Sequence, residues 1–208
     1  MSGLRIEKVV TSGTFALDGG EWEVDNNVWL VGDDEQVVVI DAAHDASPIV
    51  EAVGERNVVA IICTHAHNDH ITVAPSLAKQ LDAPILLHPD DLVLWNQTHP
   101  AYAPEPLAEG ELPVAGSTVN VLHTPGHSPG SCVLHVPDLG AVFTGDTLFQ
   151  GGPGATGRSF SSFETIIESL RDKVLTLPPE TVVHTGHGDD TTIGDEAPHL
   201  QEWIDRGH

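Results

Sequence analysis

The chain has 208 residues, with 8 basic against 31 acidic side chains and a formal net charge of −23. A field of that sign repels nucleic acid and anionic membrane surfaces, so neither is an expected partner. Hydrophobic residues make up 40%, enough for one core in a single domain over residues 1–208, and no apolar run is long enough to span a bilayer.

Met1-Ser2-Gly3-Leu4-Arg5 carries no apolar signal region, and the expected location is the cytoplasm. Ile6 to Thr11 alternates as a strand, and Gly13 to Asn26 reads as a loop carrying Phe15 and Trp22 among glycines and acids. Val28–Val31 and Val37–Ile40 are two further strands, the second ending at Asp41. Ser47-Pro48 predicts a helix to about Glu55, with serine as cap and proline in the first turn.

A strand over Val58–Cys63 leads into Thr64-His65-Ala66-His67-Asn68-Asp69-His70. Three imidazoles and a carboxylate crowded at the end of a buried strand gain little unless something binds them, and that donor set suits zinc, iron or manganese. Ile71–Leu81 reads as a helix tolerating Pro75 near its start, Pro84–Leu87 as a short strand, Asp90–Trp95 as a helical turn or two, and Pro100–Pro113 as a surface loop.

The second half repeats the style. Strands are expected at Thr118–Leu122, Ser131–Val136 and Ala141–Thr144, with the turn Thr124-Pro125-Gly126-His127-Ser128-Pro129-Gly130 between the first two. A glycine-rich loop, Gly151–Gly157, precedes an amphipathic helix over Phe163–Leu175; a strand Thr181–His184 then delivers Gly186-His187-Gly188 before a last helix. Mixed strands and helices of this kind predict an α/β sandwich with two central sheets and helices outside. Cys63 and Cys132, both in apolar runs, are expected to be buried free thiols.

Candidate metal ligands recur at strand ends: His65, His67, Asp69 and His70, then His127, Asp146 and His187, at separations of 62, 19 and 41 residues from His65 onward. Five histidines and two carboxylates can supply two adjacent cations with three or four ligands each, and a carboxylate can bridge the pair.

The strings T-H-A-H-N-D-H, T-P-G-H-S-P-G, F-T-G-D-T-L-F and T-G-H-G, in that order, resemble the metallo-β-lactamase-fold hydrolases, and within them the short bacterial members of the glyoxalase II branch. The resemblance implies a four-layer αββα sandwich. It implies that His65, His67 and His127 hold one divalent metal, that Asp69, His70 and His187 hold a second, and that Asp146 bridges them. Zinc is the expected ion, with iron or manganese as alternatives. Asp41 matches a position that would orient a ligand histidine from behind. The implied reaction is attack of a metal-bridging hydroxide on an acyl carbonyl, with Asp69 as the proton acceptor and a small-molecule thioester as substrate.

Eight histidines fall outside these strings: His44, His88, His99, His123, His135, His184, His199 and His208. None is expected to act directly.

Substrate anchoring does not transfer from the resemblance. Related short enzymes carry an arginine-threonine-aspartate element where this chain has Ala155-Thr156-Gly157-Arg158. Arg158 is the candidate substrate contact, against the alternative of a surface arginine paired with the abundant acids. A pocket so poor in basic residues argues against glutathione and phosphorylated substrates; it suits a neutral or sugar-like thiol such as mycothiol. Phe15, Trp22, Tyr102, Phe149 and Phe160 are candidate pocket aromatics. The rival chemistries are lactone or ester hydrolysis and a persulfide dioxygenase with a single iron; a metal-binding module without catalysis is the rival from another class. The oligomeric state is left open.

Overall fold

The computed structural model describes residues 3–207, so Met1 and Ser2 of the N-terminal reading, and His208, lie outside the described residues. Two six-stranded sheets form the centre. In the first, β1 (Arg5–Leu17), β2 (Gly20–Gly32) and β3 (Gln36–Ile40) run antiparallel, and β4 (Asn57–Ile62), β5 (Ile85–Leu87) and β6 (Glu105–Pro106) continue in parallel. In the second, β7 (Gly110–Val114), β8 (Ser117–His123), β9 (Cys132–Val136) and β10 (Ala141–Gly145) are antiparallel. A small ribbon of β11 (Leu148–Phe149) and β12 (Gly152–Pro153) follows, and β13 (Val182–Thr185) returns parallel to β10 with β14 (Thr191–Thr192) at the edge.

The layering follows from alternation along the strands, because successive side chains point to opposite faces. Val28, Leu30, Val37, Val39 and Ile61 pack outward against α1 (Ala46–Val53), α3 (Ala74–Leu81) and α4 (Leu92–Thr98). Trp29, Val31, Val38, Ile40 and Ile62, on the opposite face, meet Val119, Val121, Leu134 and Phe143 of the second sheet. That sheet's far face, through Val133, Val142 and Val183, packs on Ile166 and Ile167 of α5 (Phe163–Ser169), on Ile193 of α6 (Ile193–Glu196) and on Trp203 of α7 (Leu200–Arg206). Three apolar layers therefore separate four structural ones, an αββα sandwich. Truncating Phe143, fully buried between the sheets, would cost about 3–5 kcal/mol.

Several expectations change. Gly13 to Asn26 is not a loop: β1 and β2 form one long hairpin closed at Asp18-Gly19, both with positive φ (52° and 79°). Asp-Gly in a two-residue turn suits the right-handed twist of the strands it joins, and that signal outweighs the surrounding glycines and acids. Asp45, not Ser47, caps α1, its side chain accepting from the Ser47 amide. The helix expected from Ile71 divides into α2 (Asn68–Ile71) and α3, with Pro75 in the first turn of α3. The stretch expected as a loop over Pro100–Pro113 contains β6 and most of β7, and Pro113 is tolerated because β7 is an edge strand. Cys63 and Cys132 are buried free thiols.

Candidate metal centre

The seven candidate ligands lie at one end of the sandwich, beyond the C-terminal ends of the parallel strands. Asp41 ends β3, His65 to His70 follow β4 into α2, Asp146 ends β10 and His187 follows β13. His127 joins from the turn after β8. This is where open sheets with parallel strands offer ligand crevices.

Three groups of donor atoms converge, each within 4.8 Å: His65, His67 and His127; Asp69, His70 and His187; and His65, His70 and Asp146. His67 Nδ1 is 3.1 Å from His65 Nε2 and 2.9 Å from His127 Nε2. In the second group His187 Nε2 is 3.2 Å from His70 Nε2 and 3.3 Å from Asp69 Oδ2. Asp146 stands between them: Oδ2 is 3.6 Å from His127 Nε2 and 3.4 Å from His187 Nε2, and Oδ1 is 3.2 Å from His70 Nε2.

The outer ring nitrogens of four of the five ligand histidines are tied down, while His67 Nε2 is buried without a partner. His127 Nδ1 donates to the Ala155 carbonyl at 2.8 Å, His187 Nδ1 to the Asp25 carbonyl at 2.7 Å and His70 Nδ1 to Asp41 Oδ2 at 2.8 Å. The Thr64 hydroxyl donates to Asp41 and accepts from His65 Nδ1 at 3.1 Å. Each of these bonds places a ring N–H on the outside and turns the other nitrogen inward, the tautomer a metal requires. Asp69 Oδ1 and Asp146 Oδ1 are buried without a hydrogen-bond partner. Buried carboxylate oxygens left unpaired are costly, and a divalent cation would satisfy them. The donor set therefore fits two divalent metals.

Protonation reports the same demand. Burial lowers the His65 ring well below its ordinary range, helped by neighbouring His70, and takes His67 down to about 3. Burial opposes charge on Asp146 too, yet His70 and His187 outweigh it and hold the carboxyl well below the usual range. His187 goes the other way, up to about 10, because Asp146 and Asp69 overcome the effect of burial, and His70 is likewise raised. In the metal-free protein, protons on these two rings stand in for a cation.

Two residues outside the sequence expectations complete the site. Asn26 on β2 donates to Asp69 Oδ2 at 3.0 Å, and its own oxygen accepts from His44 Nε2 at 2.7 Å. His44 thus touches the centre through one intermediary. Asp91, fully buried, accepts from the Ala66 amide (2.7 Å), the Ser128 hydroxyl (2.8 Å) and the Gly130 amide. It clamps the His65–His67 segment to the turn carrying His127. Neither residue has a local sequence signal, since Asn26 sits within a strand and Asp91 beside an ordinary exposed acid. Gly186 also leaves room for a ligand: a Cβ there would lie 2.3 Å from Asp146 Oδ1.

A cavity of about 120 Å³ opens over the ligands, floored by His67, Asp69, His127, Asp146 and His187. Phe15, Phe149 and Arg158 form part of its wall. Phe15 and Trp22, cross-strand partners in the hairpin, stack with ring centroids 5.6 Å apart, and the Arg158 guanidinium lies 4.1 Å from the Trp22 ring. Tyr102 does not join them; it packs beside Trp95. Of the other histidines, His184 pairs with Asp190 and packs on Trp29 and Phe143, and His88 and His123 stack on each other near Asp90.

The model of the metallo-beta-lactamase superfamily matches residues 22–187. The chain is 33% identical to "Probable metallo-hydrolase YqgX" of Bacillus subtilis, over 80% of this chain and 87% of the relative. It is 32% identical to "Hydroxyacylglutathione hydrolase GloC" of Haemophilus influenzae, over 82% of this chain and 89% of that one. The crystal structure of TTHA1623 in a di-iron-bound form superposes with a TM-score of 0.75 at 34% identity, covering 88% of this chain and 96% of its own.

Proposed function

The chain belongs to the metallo-β-lactamase superfamily, and from that premise we propose that it is a binuclear metal-dependent hydrolase that cleaves a thioester. One observation carries the reading: the Asp146 carboxylate lies between two donor triads, 3.6 Å from His127 Nε2 and 3.4 Å from His187 Nε2. His65, His67 and His127 would hold one ion, Asp69, His70 and His187 the other, and Asp146 both. Zinc suits these nitrogen and oxygen donors, and the di-iron form of TTHA1623 makes iron the alternative. Bound divalent cations lower the pKa of water and polarise a carbonyl oxygen.

The protein's own groups supply the rest. Asp69, oriented by Asn26 on one oxygen and lining the cavity floor beside the ion positions, would take the proton from the attacking water. Phe15 and Phe149 keep the wall apolar, which strengthens electrostatic interactions below. Among the described residues lining the cavity there is no lysine, tyrosine or cysteine to protonate a departing group. A thiolate, with a free pKa of about 8.5, needs no such help, whereas an amine does. The name of the Haemophilus relative supports the same substrate class. With Arg158 as the one cation on the wall, a neutral thiol such as mycothiol fits better than glutathione with its two carboxylates.

The test couples metal analysis to a thioester panel differing in thiol carrier, alongside lactones and a persulfide. The expected result is two metals per chain and thioester hydrolysis, with Asp69→Asn lowering kcat by roughly 10²–10⁴-fold when assayed in saturating metal. One iron per chain with oxygen consumption on the persulfide would replace hydrolysis with the dioxygenase reading.

A further inference from the structure

Arg158 occupies an unusual position for a cation in this chain. Arg5, Arg56, Arg171 and Lys173 each pair with carboxylates. Among the described residues Arg158 makes no salt bridge, although the chain carries 31 acids. Its Nη1 is buried and has no hydrogen-bond partner. Burying such a donor unpaired is costly, and the guanidinium is held there by packing: 4.1 Å from the Trp22 ring centre and 5.2 Å from that of Phe15. Phe15 in turn sits 5.4 Å from the His67 ring. The loop carrying Arg158 is fixed as well. Asp18, at the tip of the hairpin, spends its carboxylate on the Ser159 amide at 3.0 Å, and Ser161 bridges the Arg158 backbone N–H and carbonyl. Beside it, Phe160 is held at φ 68° with nearly half its surface exposed, and Trp22 is exposed to a similar extent.

A preorganised donor with no protein acceptor, in the wall of a cavity above a catalytic floor, calls for an acceptor on the ligand. We infer that Arg158, backed by Phe15 and Trp22, anchors the thiol portion of the substrate, and that this portion is a neutral, hydroxyl-bearing ring. The inference rests on the thioesterase reading above and adds the subsite and the chemistry that it recognises. Three features select a polyol over a carboxylate pair. The wall has one cation, so a dicarboxylate would bury one charge unmatched. The net charge of −23 opposes the approach of anions. The exposed Trp22 ring beside the guanidinium offers a face for the C–H surface of a sugar or cyclitol while Arg158 donates to its oxygens.

The test is calorimetric binding of inert S-methyl thioethers of three thiols: one bearing a sugar or cyclitol ring, N-acetylcysteine, and glutathione. The proteins are the metal-loaded wild type, Arg158→Met and Arg158→Lys, each with metal content and Tm recorded to show that it is folded and loaded. The ring-bearing ligand is expected to bind the wild type tightest. Arg158→Met should weaken it at least tenfold and Arg158→Lys by less, while N-acetylcysteine changes under threefold. The inference is overturned if glutathione's thioether binds tightest, if none of the three binds, or if Arg158→Met weakens all ligands equally or none. Because these ligands cannot be hydrolysed, a wild type that binds the ring-bearing thioether but leaves its thioester intact would refute the thioesterase reading and spare the subsite.

Discussion

Asp41 grips Thr64 twice, accepting from its amide at 2.8 Å and its hydroxyl at 2.9 Å. The same carboxylate accepts from His70 Nδ1 at 2.8 Å, so one side chain at the end of β3 steadies a histidine of each triad, His70 directly and His65 through Thr64. Asp41 also holds φ at 64°, a conformation that a non-glycine residue keeps only when its surroundings demand it. Asp41→Ala should therefore lower metal affinity by about 10–100-fold, read by competition with a chelator. Unchanged affinity would reduce Asp41 to a strand-end residue.

Asp146 and Gly186 form a second pair to test. Asp146→Ala should reduce bound metal below two per chain and abolish hydrolysis. Gly186→Ala makes the same point without touching a ligand, because the new methyl would sit 2.3 Å from Asp146 Oδ1 and displace it. Metal content measured after dialysis should fall in both. Full loading together with intact hydrolysis in the Asp146 variant would sink the two-metal scheme.

The buried Asp91 clamp makes a prediction about stability. Removing its carboxylate leaves the Ala66 and Gly130 amides unsatisfied in the interior and takes one of the Ser128 hydroxyl's two partners. Asp91→Ala should cost about 2–4 kcal/mol, which for a chain of this size lowers Tm by roughly 10 °C. Because the clamp joins the segments bearing His67 and His127, affinity for the first metal should drop too. A variant with wild-type Tm and metal affinity would remove the clamp from this account.

Metal uptake should be proton-linked. In the metal-free protein His187 is raised to about 10 and His70 is also raised, since the neighbouring carboxylates outweigh burial, so both rings are protonated at neutral pH. A metal must displace those protons, so affinity rises with pH and falls steadily as the solution is made more acidic. Calorimetry at pH 7 in two buffers of different ionisation enthalpy should report net proton release on full loading. Uptake without proton release would contradict the assignment.

The seven candidate ligands were legible because each is chemically conspicuous where it stands: imidazoles and carboxylates following apolar strands, beside residues that permit sharp turns. The helices and most strands were legible from their periodicity. The β1–β2 hairpin was written locally as well, in Asp18-Gly19, but glycines and acids along its arms obscured the alternation. Asn26, His44 and Asp91 left no such trace. Each is an ordinary polar residue until a segment far away in the chain is brought against it: Asp69 against Asn26, and the 127–130 turn against Asp91.

What the sequence determined by itself was a set of donors and an alternation of apolar side chains that requires four layers, since both properties reside in residue types and near-neighbour spacing. The tertiary structure decided how the donors divide into two triads, that Asp146 stands between them, and that Arg158 turns into the cavity rather than toward the acidic surface. Those outcomes depend on angstrom-scale approaches between the two sheets and the hairpin. Such distances are set by how the shared core between the sheets packs, and no local pattern along the chain encodes them.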